Sequence, residues 1–141
     1  MLEKAYGPEH LSVAGTVSNF GLLLSSQGKP DEAEILLKRA VAIRQRSLEA
    51  EHLDVAASLE NLGGFYIGQA RYTEAEPLLN QALKIREASL GPKAPGIVSS
   101  LESYATALRG LKRDADATPL EVRANAIRAE HPSVSFSKRE N

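Results

Sequence analysis

The chain predicts an all-α fold, a superhelix of stacked helix pairs, on three observations. It repeats itself: His10-Leu11 recurs as His52-Leu53, a step of 42 residues. The same step carries Asn19 onto Asn61, Gly21 onto Gly63, Glu32-Ala33-Glu34 onto Glu74-Ala75-Glu76, Leu36-Leu37 onto Leu78-Leu79 and Ile43-Arg44 onto Ile85-Arg86, and a second step reaches a decayed copy at Leu101, Tyr104, Leu108, Ala117, Leu120, Ala124 and Ile127-Arg128. Within each copy apolar residues recur at three- and four-residue spacings, the period of a helix with one buried stripe. Glycine and proline interrupt the copies, so that each holds two helices rather than one. One helix pair cannot bury both of its sides, and repeats of this size therefore stack on their neighbours.

Taken in order, residues 1–8 read as the end of a preceding unit, because Leu2-Glu3-Lys4-Ala5-Tyr6-Gly7-Pro8 matches Glu87-Ala88-Ser89-Leu90-Gly91-Pro92. This predicts units upstream and an uncovered apolar side on the first helix. Unit one spans 9–50, with helices over about 10–26 and 31–48. Its first helix carries the stripe Val13, Val17, Phe20 and Leu24 and ends at Gly28-Lys29-Pro30; its second carries Ile35, Leu36, Ala40 and Ile43. Unit two spans 51–92, with helices over about 53–68 and 73–90 and the second stripe Leu78, Ala82 and Ile85. Asp31 three before Glu34, and Thr73 three before Glu76, predict capping boxes at the second helices. Gly21, Gly63 and Ala105, facing Ala33, Ala75 and Ala117, predict close approach within each pair.

Unit three spans 93–131, with helices over about 95–110 and 114–130. Here Leu37 and Leu79 give way to Glu121, Val41 and Leu83 to Asn125, and Leu48 and Leu90 to Pro132. Those are the places a following unit would cover, and a polar outer face there predicts a C-terminal cap. Residues 132–141 read as a flexible polar tail, whose Val134 and Phe136 are available to fold back onto the last helix.

With 141 residues the chain suffices for one domain with a real core. Its net charge of −1, with mixed signs throughout, gives no basic footprint for nucleic acid or anionic lipid. No apolar run approaches the roughly 20 residues that span a bilayer, no leader is evident at the N-terminus, and cysteine is absent. The expected location is cytoplasmic, with neither nucleic acid nor membrane as partner.

No catalytic or cofactor chemistry is predicted. His10 and His52 lie one repeat apart at equivalent helix starts, which argues for a structural role in the join, and Ser47 and Ser89 repeat likewise; an active site is unique, whereas a repeated residue has a repeated structural job. No metal-ligand spacing, glycine-rich phosphate loop or nucleophile elbow is present. Arg44, Arg86 and Arg128 form a ladder, read as cations favoured by the helix dipole over a basic strip for a partner.

Leu59-x-x-Leu62-Gly63-x-x-Tyr66, followed by Ala75-x-x-x-Leu79 and Ala82, resembles the tetratricopeptide (TPR) signature. The long step, with Ala-Glu-Pro-Leu, Ile-Arg and a Gly-Pro-x-His join, is similar to the kinesin-light-chain subtype. The resemblance covers about residues 7–130. It implies a right-handed superhelix whose first helices line a concave groove for a peptide or partner segment, and hence a non-enzymatic interaction scaffold. Asn19 and Asn61 occupy the place from which the family's groove asparagines bond a ligand's backbone, since an amide both donates and accepts. The groove face then also offers Leu22, Glu60, Ile67, Glu102 and Arg109. The cations with which chaperone-binding members clamp a carboxylate are missing, Gly15, Ser99 and Ser103 standing in their places; the basic groove of kinesin light chains is missing too, and Glu60 and Glu102 make this one slightly acidic. The alternative function is self-association, as a homo-oligomer joined through the exposed N-terminal edge.

Overall fold

The computed structural model describes residues 10–132, so the expectations for residues 1–8 and for Val134 and Phe136 lie outside the described residues. Six α-helices follow one another: α1 (Leu11–Ser26), α2 (Pro30–Ser47), α3 (Leu53–Gly68), α4 (Tyr72–Leu90), α5 (Val98–Gly110) and α6 (Asp114–Glu130), with a 3-10 turn, Pro95–Ile97, leading into α5. No strand occurs among the described residues.

The helix ends show why the repeat keeps its punctuation. His10 and His52 are N-caps, extended in backbone, each accepting a backbone N–H two residues on, from Ser12 and Asp54, at 3.0 Å through Nδ1. Unit three has Ala94 at that place and enters its helix through the 3-10 turn instead. The turn inside each pair holds one left-handed residue, Gly28 (φ 78°), Ala70 (58°) and Lys112 (65°), and closes with a bond from the following N–H to the last helical turn, Lys29 to Leu24, Arg71 to Tyr66 and Arg113 to Leu108. Only the first uses glycine, although the left-handed region costs other residues about 1 kcal/mol.

The expected capping boxes are absent. Lys29 and Arg71 are the N-caps of α2 and α4 and make no side-chain cap bond. Glu34 and Glu76 are drawn to the next unit instead. Glu34 accepts from the Tyr66 hydroxyl at 2.7 Å and from both Arg71 terminal nitrogens at 2.9 and 3.1 Å, while the guanidinium lies 4.5 Å over the Tyr66 ring and also grips Glu74. Arg71 first, then Tyr66, hold the Glu34 carboxyl well below the usual range, at about 2. At the next joint Glu76 accepts from Tyr104 at 3.1 Å and faces Arg113, which binds Asp116. Arg71 and Arg113 are one repeat apart, but Tyr104 comes from one helical turn earlier than Tyr66 would place it.

Within each pair the small residues do what their positions imply. A Cβ on Gly21 would stand 3.0 Å from the Leu37 side chain, a tight contact, and one on Gly63 only 2.7 Å from that of Leu79, which would have to shift. Ala33, Ala75 and Ala117 are fully buried opposite them. The main core joins units one and two around Leu37, Val41, Leu59, Leu62, Phe65 and Leu79, and a smaller one joins Leu83 to Ile97, Leu101 and Ile127.

Two members of the expected stripes are not in the core. Phe20 is 53% exposed, whereas its repeat equivalent Leu62 is 5% exposed, because the place faces the preceding unit and unit one has none described before it. Ile35 is also exposed, on the outer side of α2, where the equivalent residues are Pro77 and Pro119; Leu37 and Val41 fill the core there.

Successive first helices, α1 with α3 and α3 with α5, touch one another, and the second helices do not approach by backbone. The first helices therefore lie on the inner, tighter side of the stack. Across the outer side runs a long side-chain bridge from Arg123 to Glu87 (2.6 Å) and to the Pro92 carbonyl (3.2 Å).

Candidate partner-binding groove

A helix presents its open face at three- and four-residue spacings, so the inner side is read row by row across α1, α3 and α5. The rows are Gly15, Ala57 and Ser99; Ser18, Glu60 and Glu102; Asn19, Asn61 and Ser103; Leu22, Gly64 and Thr106; Ser25, Ile67 and Arg109.

The second row does not present free carboxylates. Glu60 receives Arg86 in a two-toothed grip, Nε at 2.8 Å and Nη2 at 2.7 Å, and also the Ser100 hydroxyl from the following unit. That grip raises the Arg86 pKa. Glu102 receives Arg128 one repeat on. Unit one has Ser18 where the others have glutamate, and Arg44 turns instead to the next unit, donating to Ser58 at 2.9 Å and the Asp54 carbonyl at 3.2 Å. The arginine ladder is thus not a free strip for a partner, and Arg44 and Arg128 also lie in the last turns of their helices, as the helix-dipole reading expects. Arg86 and Arg128 neutralise carboxylates of the groove floor within their own units, Arg44 joins unit one to unit two, and the expectation of a slightly acidic groove is corrected accordingly. The signal was in the sequence as a constant offset: glutamate at 60 and 102, arginine 26 residues later at 86 and 128, and at 18 and 44 serine with arginine.

Asn19 is exposed. Asn61 is half-buried and donates one amide hydrogen to the buried Ser18 hydroxyl at 2.9 Å, which orients the amide and leaves its carbonyl and second N–H. Leu22 is exposed, and Ile67 is half-buried against the main core. Gly64 and Gly68 meet nothing within 4 Å, so the centre of the groove is a flat strip of backbone between Leu22 and Thr106.

Arg109 does not face a partner alone. It binds Glu121 through Nε at 2.8 Å, Asp114 at 3.2 Å and Thr118 at 3.2 Å, raising its own pKa and lowering that of Glu121. In unit two the same two places are Ile67 and Leu79, so an apolar contact has become an ion pair as a matched change of both residues.

Elsewhere, Pro92, Lys93, Arg123, Ala126, Ile127 and Glu130 line a mostly apolar cleft of about 310 Å³, away from the groove rows. Among the described residues no three His, Cys, Asp or Glu are placed to hold a metal ion, and no helix is long and apolar enough to cross a membrane.

Two tetratricopeptide repeat models match the chain, one over residues 54–130 and one over 13–54. No curated protein matches it. Among solved structures, a kinesin-light-chain-type protein of Podosopora anserina with nearly identical TPR-like repeats is 29% identical, with a TM-score of 0.77, covering 88% of this chain and 61% of its own. A substituted form of the same protein gives 27% identity and a TM-score of 0.76, covering 89% and 59%. BtubC (BKLC) from P. vanneervenii shares the fold at 21% identity and a TM-score of 0.84, covering 99% of this chain and 56% of its own. The chain thus spans less than two thirds of the length of each.

Proposed function

We propose, since this chain belongs to the tetratricopeptide repeat family in its kinesin-light-chain-like form, that it is a binding scaffold whose groove takes an uncharged peptide segment of a protein partner. TPR repeats generally mediate protein–protein interaction. The observation that supports the finer reading is the pairing of Glu60 with Arg86 and of Glu102 with Arg128, which neutralises the groove's carboxylates beside its amides, hydroxyls and the exposed Leu22. An unpaired charge on the ligand would lose its water there without gaining a counter-ion.

Asn19 and Asn61 are the backbone-reading amides of this proposal. Leu22 and Ile67 supply apolar contact, Gly64 lets a ligand backbone come close, and Arg109 with Glu121 walls the C-terminal end. Neither nucleic acid nor a lipid surface fits a groove whose arginines are already paired, and a cytoplasmic location is part of the same reading.

Panning a random peptide library against the chain tests it. Recovered sequences should cluster near zero net charge and lose binding when Asn19→Ala and Asn61→Ala are combined. Enrichment of strongly acidic or basic peptides, or binding that survives both replacements with helicity intact, would refute the groove assignment. A second reading, self-association through the N-terminal edge, is favoured by the exposure of Phe20 and Leu23.

A further inference from the structure

Arg44, Arg86 and Arg128 reach the groove floor from the second helices, one repeat apart, but they do not meet the same group. Arg86 takes a carboxylate from the first helix of its own unit, Glu60, along its Nε–Nη2 edge at 2.8 and 2.7 Å. Arg128 likewise takes Glu102 from the first helix of its own unit. The corresponding helix, α1, lies beside Arg44 and offers Ser18 at that place. Arg44 directs Nη1 to the Ser58 hydroxyl and the Asp54 carbonyl, at 2.9 and 3.2 Å. Among the described residues no carboxylate lies within ion-pair distance of it, and its Nε–Nη2 edge meets no hydrogen-bond acceptor. That edge opens beside the groove's first row: a Cβ on Gly15 would stand 3.6 Å from Nη2, and glycine sets no side chain over it. Arg44 is half-buried, so its charge loses part of its water with no counter-ion in return.

We infer that this edge receives the side-chain carboxylate of one aspartate or glutamate in the bound peptide, as Arg86 receives Glu60; this rests on the groove reading above and specifies one residue of its ligand. The segment is uncharged where it lies over Glu60 and Glu102, which are neutralised, and carries a single acid over unit one. A guanidinium edge takes both oxygens of a carboxylate in parallel bonds, a geometry that the chain itself displays at Arg86. The Ser18 hydroxyl accepts from Asn61 at 2.9 Å and keeps a hydrogen to donate to the same carboxylate. Ser18 thereby joins the acid site to the Asn61 amide, which sets the acid next to the ligand residue whose backbone Asn61 holds.

A side chain supplies this carboxylate better than a chain end does. The guanidinium belongs to the groove floor, whereas Asn19 and Asn61 stand on the rows above it. An acidic side chain reaches down to Arg44 while the ligand backbone stays on the amides, just as Glu60 reaches Arg86 from its own row. A terminal carboxylate would draw the backbone off those amides. One guanidinium edge takes one acid and offers no track for a polyanion.

The test pans the intact chain against a random peptide library fused to its carrier through the C-terminus, so that only side chains supply carboxylates. Recovered peptides should share one aspartate or glutamate at a fixed place and be otherwise uncharged. In fluorescence anisotropy a recovered peptide, synthesised with an amidated C-terminus, should bind about ten- to a hundredfold more weakly once that residue becomes asparagine or glutamine. Ser18→Glu gives unit one the glutamate that unit two has at 60. Its carboxylate should occupy Arg44, and panning should then yield peptides without the acid. Arg44→Gln removes the cation without adding a charge. With either variant, folded by circular dichroism, the acid and amide forms of the peptide should bind alike. Peptides that bind through Asn19 and Asn61 but share no acid overturn this proposal and leave the groove reading standing. Binding that survives Asn19→Ala with Asn61→Ala overturns both, as does recovery of no peptide at all. A preference for the acid form that persists in Arg44→Gln overturns the assignment to Arg44. Affinity gained only from a free C-terminus overturns the side-chain source.

Discussion

The joint between units one and two can be tested through one carboxylate. Glu34 keeps only 16% of its side chain in water and receives the Tyr66 hydroxyl and the Arg71 fork, with Lys38 at 3.1 Å. Arg71, then Tyr66, depress its pKa from 4.5 to about 2, against an opposing contribution from burial. A group whose folded pKa is depressed contributes stability above its unfolded pKa and loses it as pH falls through the folded one. The window is therefore from about pH 5 down to about pH 2. At about 1.4 kcal/mol per pH unit the shift corresponds to at most about 3 kcal/mol. Arg71 and Lys38 both stand partly in water, and screening brings the expected contribution to about 1–2 kcal/mol. Glu34→Gln keeps the shape and removes the titration. Urea unfolding of both proteins across pH should show the variant less stable by that amount at pH 7, with the gap closing as pH falls from about 5 to about 2. Taking the difference between the two proteins cancels the other carboxylates. A gap that stays constant from pH 7 to about pH 2.5, or no gap at pH 7, would refute the latch.

Two further predictions follow from the neighbourhoods of particular residues. Gly63→Ala should cost about 1–3 kcal/mol in urea unfolding, because its Cβ would strike Leu79 at 2.7 Å. Gly64→Ala, one residue on, meets nothing within 4 Å and should instead stabilise by about 0.5–1 kcal/mol; equal effects at the two sites would overturn the packing assignment. Arg86→Met should leave Glu60 without its counter-ion and turn selection in the peptide panning towards basic sequences. Unchanged ligand charge there would mean that the pair does not set the groove's preference.

The helix pairs were legible because repetition multiplies a weak signal. Periodicity, the turn at Gly28 and the small residues at Gly21 and Gly63 each recur, and such patterns act within one unit. The second row of the groove was less legible, although the pairing of Glu60 with Arg86 repeats at Glu102 and Arg128. A carboxylate on an inner helix face reads as surface charge until the other helix is seen to bring a cation to it. The capping boxes failed for a related reason. Glu34 was assigned to its own helix end by spacing, but an arginine and a tyrosine from the next unit compete for it with a stronger, charge-assisted set of bonds.

What the amino-acid order alone determined is the local and repeated part: six helices, their pairing, and the close approach at Gly63. These depend on contacts a few residues apart or on a register that the chain displays openly. Only the tertiary structure decided which groups remain accessible once units stack. It placed Phe20 on a face whose counterparts are buried, committed one hydrogen of Asn61 to Ser18, and joined Arg109 to Glu121. Accessibility depends on what the neighbouring unit brings, and that is a property of the stack rather than of any one stretch of chain.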